Sequence, residues 1–131
     1  MENSVPEDLA YSKDHEWTRR RDAVVVVGLT DHAQRQLGDI VFIEQPQVGE
    51  HVEAGEPVGT VESVKAVSEV YAPVTGEVVK VNEELSDSPE QVNEDPYGAG
   101  WLLEIRMTDA GRAEGLLTAA EYADYIREAD G

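Results

Sequence analysis

The sequence predicts a mostly β protein, a small barrel or flattened sandwich with short helices and a helix at the C-terminal end. Val is the dominant core candidate of the chain, and β-branched residues favour strands. In the segment 48–81, Gly recurs at positions 49, 55, 59 and 76 and Pro at positions 57 and 73, with short Val-rich pieces between them. That pattern is typical of short strands joined by tight turns, since a helix would have to tolerate repeated Gly and Pro.

The 131 residues are expected to form one domain with one modest core. Residues 1–13 are polar and contain Pro6, so we expect a loosely tethered N-terminal arm. Residues 14–107 are expected to form the β core. The large aromatic residues are interpreted as part of that core rather than of a functional site, namely Trp17, Phe42 and Trp101.

The first hairpin is predicted in the segment HEWTRRRDAVVVVGLT. We expect a short strand around Glu16 to Thr18 and a basic turn over Arg19 to Asp22. A buried strand should follow over Ala23 to Gly28.

A two-turn helix and a strand are predicted next. Thr30 has the side chain of an N-cap, the segment DHAQRQL fits two helical turns, and Gly38 is suited to end the helix. The following segment, DIVFIEQP, contains an apolar run between Gly38 and Pro46. This run predicts a core strand.

The second half of the chain is expected to contain one helical turn, one strand and one longer helix. Pro89 can open a helical turn after Ser88, and the segment WLLEIRM predicts a strand. Thr118 and Glu121 have the spacing of a capping box, which predicts a C-terminal helix over residues 118–129. One face of this helix should pack on the barrel, the face formed by Tyr122, Tyr125, Ile126 and Ala129.

The charge of the chain limits the partners that it can have. Its 28 acidic and 10 basic residues give a formal net charge of -18. Such a charge repels nucleic acid and anionic membranes, so neither is expected as a partner. We also expect a monomer. The balance also suggests a high-salt cytoplasm, in which screening shortens the reach of carboxylate repulsion, although an acidic protein of an ordinary cell remains an alternative.

Two absences in the sequence narrow the location and the chemistry. The first residues lack the basic start and apolar stretch of a secretory signal, and no apolar run is long enough to cross a bilayer, so we expect a cytoplasmic protein. The chain contains no Cys, which excludes disulfides, zinc–thiolate sites and a thiol nucleophile. Any sulfur redox chemistry would have to arrive on an attached group, and no metal site is expected.

Lys65 stands in an unusual position for a lysine. It lies at the centre of VESVKAVSE, among small and apolar residues, and Pro57 and Pro73 lie at equal distances on either side of it. Each proline opens a similar phrase, PVGTV or PVTGEV, which predicts a hairpin with the lysine at its midpoint. A turn without Gly, Asn or Asp is not the usual tight hairpin. By spacing alone, Lys65 can be the attachment point of a covalent carrier or a lysine that keeps a turn soluble.

The segment VESVKAVSEVYAPVTGEVVKVNEEL resembles the lipoyl-lysine region of the glycine cleavage system H protein family. Three further segments resemble other blocks of that family in the same order: SKDHEW, GLTDHAQRQLGDIVFIEQPQVG and VNEDPYGAGWLLEI. The resemblance covers the chain from about Tyr11 to Tyr122. It implies a barrel-sandwich hybrid of the biotinyl/lipoyl carrier type, with lipoate in amide linkage on Lys65, and a carrier rather than an enzyme.

The resemblance also implies a set of partner enzymes. The carrier would take the aminomethyl group of glycine from glycine decarboxylase, a pyridoxal-phosphate enzyme, and deliver it to an aminomethyltransferase. Dihydrolipoamide dehydrogenase would reoxidise the dithiol, and a lipoylating enzyme would attach lipoate.

A pocket for the loaded arm is a further implication of the resemblance. Three of the family's lining positions match Glu16, His32 and Glu69 of this chain, and Asp14 is a weaker candidate because Ser is often seen at its position. Many family members have Asp where Glu69 stands. Without the resemblance, the two glutamates would be read as solvated surface and His32 as an ordinary residue of a helix start.

Four other functional classes compete with a lipoyl carrier of glycine cleavage. Biotin carriers surround their lysine with methionines, whereas Met1 and Met107 are the two methionines here and lie far from Lys65 in sequence. The lipoyl domains of 2-oxo acid dehydrogenases usually show DKA. An enzyme pairing Glu16 with His32 as acid and base lacks a nucleophile, metal or phosphate motif. An H-like protein that relays lipoyl groups to other enzymes needs the same hairpin and stays open as an alternative.

Overall fold

The computed structural model describes residues 5–108 and 116–130, and it confirms the mostly β architecture predicted from the sequence. The described strands are β1 (Ala10–Tyr11), β2 (Glu16–Arg21), β3 (Val24–Leu29), β4 (Ile40–Glu44), β5 (His51–Val52), β6 (Pro57–Ser63), β7 (Val67–Tyr71), β8 (Gly76–Val81) and β9 (Leu103–Met107). The helices are α1 (Asp31–Leu37), α2 (Gln91–Glu94) and α3 (Ala119–Asp130), with a 3-10 helix (Glu83–Ser86) before α2. Residues 1–4 of the predicted arm and the side chain of Ala129 lie outside the described part of the chain.

Two antiparallel sheets enclose the main core. The larger has six strands in the order β1-β2-β3-β9-β8-β5, and the smaller has three in the order β4-β6-β7. One buried apolar cluster joins inward-facing residues of both sheets, including Val27, Ile43, Val61, Val78 and Ile105. The two sheets therefore pack face to face as a sandwich, as the Gly, Pro and Val pattern predicts.

The first hairpin differs from the prediction in the position of its turn. The basic turn predicted over Arg19 to Asp22 is wrong, because strand β2 continues through Arg21, which pairs with Val24. The connection is the two-residue turn 22–23, with Asp22 in the left-handed region at φ 54°. The guanidinium of Arg19 lies 5.0 Å from the centroid of the Trp17 ring, so a long cationic side chain is accommodated on a strand surface.

Helix α1 begins and ends where the sequence predicts. Thr30 Oγ1 accepts a hydrogen bond from the backbone N–H of Ala33 at 3.1 Å, which confirms the N-cap. Gly38 closes the helix by donating its N–H to the carbonyl of Gln34 at 2.9 Å, and it adopts a φ of 81°.

Strand β4 is less buried than its apolar run predicts. Ile40 and Ile43 lie in the core, but Phe42 is 55% exposed and Val41 is 49% exposed, so the assignment of Phe42 to the core is wrong. A register shift between Ile40 and Phe42 interrupts the pairing with β6 and changes the direction of the side chains. Trp17, by contrast, is fully buried as predicted, and Trp101 is half-buried.

The N-terminal segment is more firmly packed than a tethered arm. Leu9 and Tyr11 are buried, and β1 pairs with β2, so the predicted arm does not extend to residue 13. Tyr11 stacks on Tyr122 of helix α3 with ring centroids 4.6 Å apart. Because the partners of this segment come from distant parts of the chain, its polar composition alone did not reveal its burial.

The predicted capping box at the start of α3 is confirmed. Thr118 N–H donates to Glu121 Oε1 at 2.9 Å, and Glu121 N–H donates to Thr118 Oγ1 at 3.2 Å. The predicted face of the helix packs on the six-stranded sheet, with Tyr122 and Ile126 buried beside Trp17 in a second apolar cluster. The helical turn predicted after Ser88 is also present, as α2 and the bonded turn before it.

Candidate functional site

Lys65 lies at the exposed apex of the hairpin formed by β6 and β7. Strand β6 ends at Ser63 and β7 begins at Val67, so three residues, 64–66, form the connection. The side chains around the apex are open to solvent, with Val64 69% and Val67 67% exposed. The hairpin predicted from the two similar proline phrases is therefore present, with the lysine in its connection.

Ser63 explains how this turn forms without Gly, Asn or Asp. Its buried hydroxyl oxygen accepts hydrogen bonds from the N–H groups of Lys65 at 3.2 Å and Ala66 at 3.1 Å. Its own N–H donates to the carbonyl of Ala66 at 2.8 Å. Sequence reasoning missed Ser63, although a Ser just before a tight connection is a known turn signal.

The apex rests on the junction between α1 and β4. The N–H of Val64 donates to the carbonyl of Asp39 at 3.0 Å. The Lys65 stem crosses Gly38 so closely that a Cβ atom built on Gly38 would lie 3.3 Å from Lys65 Cε. Glycine at this helix end therefore adopts the positive φ without strain and also leaves room for the lysine stem.

Asn93 of α2 holds that junction in place. Its amide nitrogen donates to the carbonyl of Gly38 at 2.9 Å and to Gln34 Oε1 at 3.0 Å, and its oxygen accepts from the N–H of Ile40 at 2.9 Å. One side chain thus satisfies backbone groups on both sides of the Gly38 turn. The sequence contains no local signal for this role, because Asn93 lies more than fifty positions further along the chain.

A cavity of about 320 Å³ lies beside the hairpin, between α1 and the strands β6 and β7. Its apolar wall includes Leu29, Val61 and Val70. Its polar lining consists of Asp14, His15, His32, Gln36, Ser68 and Glu69. The structure thus brings together His32, Glu69 and the weaker candidate Asp14, and it adds His15, which sequence reasoning missed.

Glu16 occupies a different place from the one expected, since it is not part of the cavity lining. Its side chain is buried, with a relative exposure of 1%. Ser12 Oγ donates to Glu16 Oε1 at 2.6 Å, and the N–H of Tyr71 donates to Oε2 at 3.0 Å. Glu16 therefore ties the end of β7 to strand β2 of the larger sheet.

Burial has the largest effect on the Glu16 carboxyl and raises its pKa to about 7. The hydrogen bonds from Ser12 and Tyr71 lower the pKa and offset part of this effect. The folded protein keeps this proton up to about pH 7, whereas the unfolded chain releases it near the ordinary glutamate pKa of 4.5. The folded state thus binds more protons in this window, so the free energy of unfolding falls as the pH rises from about 4.5 to about 7.

We expect a Glu16→Gln variant to lose this part of the pH dependence, because Gln can accept from Tyr71 and donate to Ser12 without titrating. The difference in the free energy of unfolding between wild type and variant should change by roughly 3 kcal/mol between pH 4.5 and pH 7.5. Urea unfolding of both proteins at several pH values measures it. If the free energies of unfolding of wild type and variant changed with pH in parallel, Glu16 would not titrate in this range.

His32 and His15 form one wall of the cavity. His32 lies in the first turn of α1, is buried, and its ring centroid is 4.7 Å from that of His15. His15 has a left-handed backbone at φ 70°, and its carbonyl accepts from the N–H of Thr30 at 3.1 Å. The side chain of His15 meets Tyr122 of α3, with 2.9 Å between Nδ1 and the phenolic oxygen. The C-terminal helix thus reaches the cavity wall.

The arrangement suits the shelter of a group attached to Lys65. A flexible amine projects from an exposed apex, its stem lies over Gly38, and a cavity with apolar and acidic sides lies beside the same hairpin. Across the described ranges 5–108 and 116–130, no group of three or more His, Asp or Glu residues is placed to hold a metal ion, and no helix is long and apolar enough to span a membrane.

Comparison with known proteins identifies the family. The family model described as glycine cleavage H-protein matches residues 9–129. The chain belongs to the glycine cleavage system H protein family. A glycine cleavage system H protein of Herpetosiphon aurantiacus is 58% identical over 126 residues, which cover 96% of each chain. One of Bacillus cereus is 56% identical over 125 residues, 95% of this chain and 98% of that protein.

A solved H protein structure has the same fold. The crystal structure of a glycine cleavage system H protein from Mycobacterium marinum superposes with a TM-score of 0.87 at 45% identity and covers 94% of this chain and 99% of that chain. This agreement confirms the barrel-sandwich hybrid implied by the resemblance. Biotin carriers and the lipoyl domains of 2-oxo acid dehydrogenases are no longer competing identifications.

H proteins are carriers and not catalysts. They bear lipoate on a lysine and shuttle the aminomethyl group of glycine from the decarboxylase to the aminomethyltransferase of the glycine cleavage system. As an H protein, this chain is a lipoyl carrier of that system.

Proposed function

We propose that Lys65 is the lipoyl-bearing lysine of this H protein and that the cavity beside it shelters the loaded arm. The observation that carries the proposal is the position of Lys65 at an exposed apex with its stem directed over Gly38, next to the cavity. The other two lysines are placed differently. Lys13 lies in the loop between β1 and β2, and Lys80 lies within β8 with its amine 5.7 Å from the centroid of the Trp101 ring.

The surroundings of Lys65 fit an attached lipoyl group. Lipoate supplies the dithiol chemistry that a chain without Cys cannot provide. Amide formation removes the charge of the lysine, and the exposed side chains of Val64 and Val67 then offer apolar surface beside the attachment point. The connection of the hairpin contains no other nucleophile, so the acylating enzyme meets a single reactive amine there.

Mapping the lipoyl group on the protein isolated from a host that makes lipoate tests this proposal. Peptide mass analysis should place the lipoyl increment on Lys65 and leave Lys13 and Lys80 unmodified. An increment on either of the other lysines, or an unmodified chain, would overturn the assignment.

The cavity would protect the cargo from water. An amine and a sulfur on one carbon form a link prone to hydrolysis, and the exclusion of solvent suppresses such side reactions. An ammonium group at that position needs an anion or another acceptor, since an unpaired buried charge is costly. Glu69 and Asp14 supply carboxylates in the cavity lining, and His32 supplies an imidazole. Glu16 contributes to the cavity indirectly, by accepting a hydrogen bond from the N–H of Tyr71 at the end of β7.

We expect a Glu69→Gln variant to lose the aminomethyl group to water about threefold faster than wild type, the size expected for a partly solvated charge pair. Release of formaldehyde and ammonia from the isolated, loaded carrier measures this rate. Glu44→Gln is a matched control, because Glu44 is an exposed carboxylate of the same small sheet outside the cavity lining. Equal rates for the two variants would remove Glu69 from the site.

The acidic surface suggests how this carrier meets its partners. We infer that glycine decarboxylase, the aminomethyltransferase, dihydrolipoamide dehydrogenase and the lipoylating enzyme present basic faces to it. Opposite charges speed such encounters, and salt weakens the effect. The net charge of -18 also opposes self-association, which supports a monomer. A cytoplasmic setting agrees with these soluble partners.

We further infer adaptation to a high-salt cytoplasm. The excess of 18 negative charges destabilises the folded state by mutual repulsion, and salt weakens that repulsion. Raising ionic strength from 0.1 to 1 M shortens the Debye length from about 10 to about 3 Å. The melting temperature should therefore rise by about 5 °C or more in molar KCl. Differential scanning calorimetry at low and high KCl measures this, and equal melting temperatures would contradict salt adaptation.

A further inference from the structure

A chain of three side chains connects helix α1, helix α3 and the cavity wall. The hydroxyl oxygens of Thr30 and Tyr122 are 2.7 Å apart, and Tyr122 Oη is 2.9 Å from His15 Nδ1. Thr30 and Tyr122 are both fully buried. Each proton in this chain must therefore find its acceptor within the protein.

The hydrogen bonds of Thr30 set the direction of the chain. Thr30 Oγ1 already accepts the N–H of Ala33 as the N-cap of α1, so its own proton needs an acceptor, and the oxygen of Tyr122 is within reach. Tyr122 then directs its proton to His15 Nδ1. The opposite direction would leave the Thr30 hydroxyl proton buried without an acceptor, which costs free energy. His15 thus accepts at Nδ1 and carries its proton on Nε2.

His15 is positioned where its protonation matters for the cavity. It lines the cavity together with Asp14, with His32 of α1 and with Glu69 of β7. The phenol rings of Tyr122 and Tyr125 from α3 pack on its other sides, with ring centroids 5.8 Å away in each case. Its φ of 70° is uncommon for a residue other than Gly, so the surrounding contacts hold it against an unfavourable backbone conformation.

We propose that Tyr122 is a positioning residue for the loaded arm: its hydroxyl, oriented by Thr30, keeps His15 in the cavity wall as a neutral imidazole with the proton on Nε2. An imidazolium in that wall would repel a cationic cargo and oppose the carboxylates that attract it. The C-terminal helix thereby contributes to the retention of the cargo without touching it. This inference rests on the proposed function of the cavity.

The test uses Tyr122→Phe in the full-length protein, with Tyr125→Phe as the matched control. Phe keeps the ring that stacks on Tyr11 and removes the hydroxyl alone. Tyr125 lies one turn along the same helix, and its hydroxyl donates to the carbonyl of Lys13 rather than to a histidine. A third variant, Thr30→Ser, retains the hydroxyl of the N-cap and should behave as wild type.

Two measurements are made on each protein. The imidazole ¹⁵N chemical shifts of His15, recorded without lipoate, should show the Nε2–H form in wild type, Tyr125→Phe and Thr30→Ser. In Tyr122→Phe they should show a mixture of forms. The aminomethyl group on the lipoylated proteins should be lost about fivefold faster in Tyr122→Phe alone, the size expected for one ordinary hydrogen bond.

Each outcome separates this inference from the function on which it rests. A proton on Nδ1 of His15 in wild type, or unchanged shifts in Tyr122→Phe, would overturn the directed chain. Changed shifts with an unchanged rate of cargo loss would overturn the positioning role of Tyr122. Cargo loss from wild type as fast as from free aminomethyl-dihydrolipoamide would instead overturn the sheltering function of the cavity, whatever the shifts show.

Discussion

A Lys65→Arg variant is expected to lose lipoylation completely and to keep its fold. The guanidinium stays protonated under all physiological conditions and cannot act as the amine nucleophile that forms the amide. The replaced side chain is at an exposed apex, and the turn is held by backbone groups and by Ser63, so the free energy of unfolding should change by less than about 0.5 kcal/mol. Intact mass from a lipoylating host and thermal unfolding measure the two effects.

Lys13→Arg and Lys80→Arg are the matched controls for this experiment. Both are exposed lysines of the same chain, and both variants should be lipoylated to the same extent as wild type. A lipoyl increment on Lys65→Arg, or its loss from either control, would contradict the assignment of the arm to the β6–β7 hairpin. The glycine-dependent loading of the carrier should follow the same pattern.

A Gly28→Ala variant is expected to lose about 3 kcal/mol of stability, near the upper end for an overpacked core. Gly28 of β3 pairs with Trp17 of β2, and the indole ring lies across the glycine. A Cβ atom built on Gly28 would be 2.5 Å from Trp17 Cε2. The ring cannot retreat easily, because it is fully buried and its Nε1–H donates to the carbonyl of Pro96 at 2.8 Å. The melting temperature should fall by about 10 °C.

Gly55→Ala separates this steric effect from the general effect of replacing a glycine. Gly55 has a φ of 90°, but a Cβ atom there would meet no heavy atom within 4 Å. The cost should therefore be the backbone strain alone, about 1 kcal/mol. Urea unfolding of the two variants measures the difference, and equal losses would show that the Trp17 ring accommodates the added methyl group.

Much of the local structure could be predicted because its causes are close together in sequence. The N-cap at Thr30, the C-cap at Gly38 and the capping box of Thr118 and Glu121 each depend on residues within one or two helical turns. The strands of the glycine-rich and proline-rich segment follow from the same kind of short-range rule. The apex position of Lys65 also follows, since the two halves of a hairpin are neighbours in the chain.

Charge and composition determined the chemistry that the chain can host. A chain without Cys has no thiol of its own, and a net charge of -18 predicts repulsion of nucleic acid and anionic membranes. These properties depend on counts of residues and not on their positions in space. The family resemblance then identified the attached group as lipoate, and the comparison with known H proteins confirms this cofactor.

The details of the site depended on the tertiary structure. The family resemblance placed Glu16 in the pocket, whereas the structure buries it in a hydrogen bond with Tyr71, 55 positions away, outside the cavity lining. Sequence reasoning missed His15, which reaches the cavity wall in contact with Tyr122, 107 positions further along. It also placed Phe42 inside, because an apolar run does not show which side chains a register shift turns outward.

From its own residues the sequence determined where turns, caps and the reactive amine occur, since these depend on backbone preferences and on the chemistry of near neighbours. Only the packed structure decided which polar groups meet across the two sheets and the C-terminal helix. Those contacts form because burial forces each polar group to find a partner, and the nearest available partner is set by the packing of distant segments rather than by position along the chain.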